Sequence, residues 1–106
     1  MEILIHAPHI TVTPRLRDLV HQRLMPTLDH HEDHIERVQV WLSEESAHSG
    51  ERERCKMIIH TLNKEMLTVE ETCKTQGAAI TKAAAATERA VRRKVERLRN
   101  RRRKAA

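Results

Sequence analysis

Glu36-Arg37-Val38-Gln39-Val40-Trp41-Leu42-Ser43-Glu44 is the stretch on which the fold turns. Val38, Val40 and Leu42 fall on one side of an extended chain and Gln39, Trp41 and Ser43 on the other, the period of two that marks a half-buried strand. Such a strand needs a sheet with one face packed and one face in water, and Trp41 is then the aromatic of the wet face. Downstream, Glu45 to Glu51, with its Ser, His and Gly50, reads as a loop. Residues 53–62 resume the alternation, with Cys55, Met57 and Ile59 set against Lys56, Ile58 and His60. Asn63-Lys64 suits a hairpin turn, and residues 66–73 form a further strand through Met66, Leu67, Thr68 and Val69.

Beyond this strand the period changes to that of a helix. Ile80, Ala84, Thr87, Val91, Val95 and Leu98 recur at spacings of three and four, and Ala is frequent between 78 and 90. The pattern predicts a helix from about Thr75 to about Lys104, with residues 99–106 beyond the last apolar position and therefore fraying or projecting. Upstream, Thr13-Pro14 is a good cap and first helical residue, and Leu16, Leu19, Val20 and Leu24 continue at helical spacing. Pro26 predicts a stop or kink near Met25, with room for one more turn after Thr27. Residues 2–7 form a short first strand. The order is βαβββα, an α+β domain. Its simplest packing is one mainly antiparallel four-stranded sheet with two helices on one face, like a double-stranded-RNA-binding domain.

The chain has 106 residues, enough for one modest core, and that core must be aliphatic because there is no Phe, no Tyr and one Trp. No signal peptide or membrane-length apolar run is present, and two cysteines are too few for a disulfide scaffold, so the expected compartment is the cytoplasm. Charge is unevenly placed. Residues 89–104 hold ten Lys or Arg and one acid, Glu96, so a segment of +9 is attached to a remainder of −4. Ordinary solvated helices mix signs; this one points to phosphate, whose counterions Lys and Arg release. Arg15, Arg17 and Arg23 on the first helix can extend the surface. Single-strand readers stack bases on aromatic side chains, and Trp41 is the one candidate, so recognition of backbone and shape is expected.

Other chemistry leaves little trace. Asp29-His30-His31-Glu32-Asp33-His34 lacks the zinc-protease spacing and reads as a polar connection, with no metal expected. No Gly-rich phosphate loop and no distinguishable triad is present, and neither an enzyme nor a cofactor is expected. Cys55 and Cys73 belong to neighbouring strands. A two-residue turn at Asn63-Lys64 would set Cys55 opposite Thr72, one extra turn residue would set it opposite Cys73, and in either case free thiols are expected.

Taken in order, several of these segments resemble the ribosome hibernation-promoting factors, also called ribosome-associated inhibitor or sigma-54 modulation proteins. The stretch from Ile5 to Val20, above all Thr13-Pro14-x-Leu16-Arg17, is similar to the family's opening. His30 to His34 falls where the family often has a His-x-Asp-His stretch, and Ala78-Ala79-Ile80 matches the start of its second long helix. The resemblance implies a ribosome-binding domain over residues 1–98 and a basic C-terminal extension over 99–106, similar to the short members without a dimerisation domain. It implies a monomer that binds the small ribosomal subunit over the mRNA and tRNA sites and inhibits translation under stress or in stationary phase, with no membrane or small-molecule partner. By position it implies rRNA contacts from Arg17, Arg23, Lys82, Arg89, Arg92, Arg93 and Arg97. The chain departs from the family at Thr75-Gln76-Gly77 and Thr81, where two acids and a Tyr are usual. Two alternatives follow: a general RNA- or DNA-binding protein of the same fold, and a module docking an acidic protein.

Overall fold

In the computed structural model, which describes residues 2–47 and 50–105, the strands lie side by side in chain order. They are β1 (Glu2–His6), β2 (Ile35–Ala47), β3 (Gly50–Thr61) and β4 (Met66–Cys73). β1 pairs parallel to β2, and β2–β3 and β3–β4 are antiparallel. The parallel pair needs a crossover, which α1 (Pro14–His30) supplies; α2 (Gln76–Ala105) follows β4.

Register puts the apolar rows on one face. Ile3 and Ile5 pair with Val38 and Val40, and Val40 and Leu42 pair with Met57 and Cys55. Val38, Val40, Leu42, Cys55, Met57 and Ile59 are all buried. Against them pack Val20, Leu24 and Leu28 of α1 and Ala79, Ile80, Ala83, Val91 and Val95 of α2. Fully burying a Leu, Ile, Val or Met side chain is worth about 1.5–3 kcal/mol, so the absence of Phe and Tyr is met by number rather than size. Thr87 is buried in the apolar stripe, and its hydroxyl is 3.3 Å from Met57 Sδ. Both helices therefore cover one face, and the other face is open.

Three local details differ from the sequence reading. Pro26 does not stop α1, which continues through His30. Gln22 and Pro26 face solvent, so the carbonyl that Pro26 leaves without a donor is open to water, while Thr27 and Leu28 just beyond are buried. The segment 45–51 is mostly strand: β2 runs to Ala47 and β3 starts at Gly50, leaving His48 and Ser49, which lie outside the described residues. Cross-strand pairing extends the ribbon through Ser43 opposite Arg54 and Glu45 opposite Arg52, and Arg54 bonds Glu45 at 2.7 Å.

The third difference is register. The β3–β4 loop is Leu62-Asn63-Lys64, closed by Thr61 N–H to the Glu65 carbonyl at 2.9 Å and Lys64 N–H to the Thr61 carbonyl at 3.2 Å. Lys64 has φ 69°, the left-handed residue that ends a three-residue hairpin. The extra turn residue is Leu62, before the expected pair, not Glu65 after it. Cys55 consequently faces Glu71, and Cys73 faces Glu53, one step along the same inner face. Both are free thiols, Cys55 buried and Cys73 half-buried. Residues 99–104, expected to fray or project, project: they continue α2 with every side chain exposed.

Candidate nucleic-acid interface

α2 has 30 residues, which at ~1.5 Å per residue is roughly 45 Å of helix in a molecule whose longest dimension is 53 Å. Its start is held firmly. Thr75 caps it by accepting the Ala78 N–H at 3.1 Å. The buried Gln76 donates from Nε2 to the Ser43 carbonyl at 2.9 Å and to Glu53 Oε2 at 2.7 Å, tying the helix to β2 and β3. Gly77 lies beside α1, where a Cβ would sit 3.6 Å from Leu19 Cδ2. The Thr81 hydroxyl donates to the Gly77 carbonyl at 2.9 Å.

Once its start and its apolar stripe are placed, the cations of α2 have fixed directions. Lys82, Arg89, Arg92, Arg93 and Arg97 are all exposed. Arg89, Arg93 and Arg97 succeed each other at spacings of four, so they form a row, and Lys82 lies seven residues before Arg89 on the same outer side. Arg99 and Arg101 to Lys104 carry the positive surface onward. Arg92 pairs with Glu88 at 3.0 Å, an exposed i,i+4 contact that phosphate can readily displace. Lys94 is different. It points down onto the body and pairs with Glu65, with only 15% of its side chain accessible. That bond, with Arg97 and Arg101 nearby, holds the Glu65 carboxyl below its usual value. Lys94 therefore fastens the β3–β4 hairpin to α2.

The two cations expected from α1 are exposed but not together. Leu19 packs at Gly77, so Arg23, one turn further on, lies on the flank of α1 beside α2. Arg17 is six residues from Arg23, about 240° around the helix, and stands seven residues before the buried Leu24, near the start of α1. The five cations Lys82, Arg89, Arg92, Arg93 and Arg97 thus share the outer side of one helix, and Arg17 and Arg23 belong to α1.

The histidines form the α1–β2 connection. His31 caps α1 through its N–H to the Thr27 carbonyl at 3.0 Å, and His34 N–H bonds the His31 carbonyl at 2.9 Å. His31 is buried, its Nε2 unpartnered. Burial, reinforced by His30, pushes its imidazole below the usual value against the pull of Glu88. Among the described residues no three His, Cys, Asp or Glu side chains come together as a metal site, and no helix is long and apolar enough to cross a membrane.

The family model described as sigma 54 modulation protein / S30EA ribosomal protein matches residues 3–99. The chain belongs to that family. Two solved structures share the fold of this sigma 54 modulation / S30EA member. A ribosomal subunit interface protein from Coxiella burnetii superposes with a TM-score of 0.78 at 9% identity, over 91% of this chain and 99% of the other. The Protein Y N-terminal domain from Thermus thermophilus gives 0.68 at 26% identity, over 86% of this chain and 93% of the other. No protein of curated function matches the sequence. At the opening of α2, Thr75 caps, Gln76 anchors, Thr81 bonds back to Gly77, and a side chain at Gly77 would meet Leu19 only in ordinary van der Waals contact. The sequence reading missed Gln76 and Lys94, because their partners lie 33 and 29 residues away in the chain.

Proposed function

We propose that this protein binds the small ribosomal subunit through rRNA in the channel used by mRNA and tRNA, and inhibits translation by occupying it. The observation that carries the reading is the outer side of α2: Lys82, Arg89, Arg92, Arg93 and Arg97, exposed and aligned on a helix whose other side is buried. Family membership supplies the ribosome as the phosphate-bearing partner. The two similar structures carry compatible names, a ribosomal subunit interface protein and Protein Y.

The mechanism is occlusion. The sheet and α1 supply bulk, α2 supplies charge, and no reacting group is required. Residues 1–98 are the binding domain, and residues 99–104 extend its phosphate-facing helix by roughly 9 Å. Arg23 joins the same RNA surface, and Arg17 meets a separate phosphate. The protein works in the cytoplasm, as a monomer off the ribosome, when growth stops.

Co-sedimentation with ribosomes through sucrose across a salt series tests this. About one copy should pellet per small subunit, with affinity falling steeply as salt rises. Charge reversal at Arg92, Arg93 and Arg97 should abolish pelleting and leave the fold intact. Failure of the unaltered chain to pellet at low salt would refute ribosome binding. Equal affinity for unrelated duplex at matched salt would replace it with general nucleic-acid binding.

A further inference from the structure

The open face of the sheet has a structure that the helix side does not use. Parallel register sets His6 beside Trp41, and their rings stack with centroids 4.2 Å apart and planes 19° apart. One side of the indole is thereby covered. Trp41 is still 38% exposed, and it forms a wall of a shallow cleft of about 450 Å³ that His6 does not line. The cleft therefore opens on the uncovered side of the indole.

We infer that this cleft is a second nucleic-acid site, a slot for one unpaired nucleobase continuing the stack His6–Trp41. Ile58 gives it an apolar floor, and Gln39 and Glu70 bring hydrogen-bonding groups to its walls. The Gln39 carbonyl oxygen is 3.3 Å from His60 Nε2, which leaves its amide N–H groups to donate. Arg54 is held by Glu45 at 2.7 Å and Glu70 at 3.1 Å, so its charge is already answered. Lys56, between Trp41 and Glu70 in register, makes no ion pair among the described residues and stands ready for the phosphate attached to the base. That cation favours a nucleotide over an aromatic side chain of a protein, which brings no anion with it. A paired base has both faces covered by its neighbours and cannot enter, so the ligand is single-stranded. The His6 stack also fixes the indole beforehand, which lowers the ordering cost of binding.

This site lies on the opposite side of the sheet from α2 and does not depend on the ribosome reading. The molecule supplies its own reporter, because Trp41 is the single Trp and there is no Tyr or Phe. The full chain carrying Arg92→Gln, Arg93→Gln and Arg97→Gln, which weakens the helix surface, is titrated with short oligoadenylate, with an abasic chain of the same length, and with duplex RNA. Saturable quenching of Trp41 emission by oligoadenylate alone is the expected result. Labelled oligoadenylate should bind Trp41→Ala roughly 5- to 150-fold more weakly. Lys56→Gln should make the salt slope shallower by about one. No quenching, or equal quenching by the abasic chain, overturns the slot; quenching by a phosphate-free aromatic peptide with equal affinity reassigns it to a protein. Loss of ribosome pelleting with quenching retained separates failure on the helix side from failure here.

Discussion

Neutralising three arginines of α2 has a calculable effect. Arg92, Arg93 and Arg97 are exposed, and the one ion pair among them, Arg92 with Glu88, is an exposed i,i+4 contact worth about 0.3–0.5 kcal/mol. Arg→Gln at all three takes the net charge from +5 to +2. It should change folding stability by less than about 1 kcal/mol, since Gln is nearly as good a helix former as Arg. Binding is another matter. Each phosphate contact contributes about 0.9 to the slope of log K against log salt for duplex and about 0.7 for single strands. Three lost contacts make the slope shallower by roughly 2 to 2.7, and at about 0.1 M salt they weaken binding by that many powers of ten, roughly 100- to 500-fold. Pelleting assays at several salt concentrations measure both quantities, and circular dichroism checks the helix. An unchanged slope with intact helix content would refute the assignment of these side chains to phosphate.

Four further outcomes follow from the packing. Pro26→Ala should raise stability by about 1–3 kcal/mol in urea unfolding, by restoring a donor to α1 and removing the ring's clash with the preceding turn. Gln76→Ala should lower stability by about 1–3 kcal/mol by leaving the Ser43 carbonyl and the Glu53 carboxylate without their amide donor, and hydrogen exchange should show the first turn of α2 opening. His31 sits neutral in the fold because its pKa is depressed from 6.5, so the unfolded chain binds the proton first as pH falls. The stability it contributes is complete above the unfolded value and is lost as pH drops through 6.5 toward the lower folded value; His31→Gln should flatten urea midpoints across that window. Burial pushes the Cys55 thiol up to about 12, so iodoacetamide should modify half-buried Cys73 in the native protein and Cys55 only on unfolding, with mass spectrometry reading the order.

What could be read without coordinates was whatever depends on near neighbours in the chain. The alternation through Val38, Val40 and Leu42 named the buried face of β2, and the spacing from Ile80 to Val95 named the stripe of α2. Thr13 capped α1, accepting the Leu16 N–H at 3.2 Å, as a Thr before a Pro suggests. Exposure of the five nominated cations of α2 follows from the same period, since each lies off its apolar stripe, whereas Arg17, seven residues before the buried Leu24, is exposed near the start of α1 for a reason its spacing does not give. Pro26 marks the limit of local reasoning: its cost is real, but the burial of Thr27 and Leu28 beyond it depends on what the helix packs against.

The sequence by itself determined the element types, their order, the faces they bury and the basic character of the last helix, because backbone geometry imposes periods of 2 and 3.6 within each segment. Only the tertiary structure decided which residues from distant segments meet. A loop starting at Leu62 set Cys55 against Glu71, a parallel register set His6 on Trp41, and the contact of Leu19 with Gly77 set α1 against the start of α2. Those choices rest on strand register and helix rotation, which a shift of one residue reverses and which no local period records.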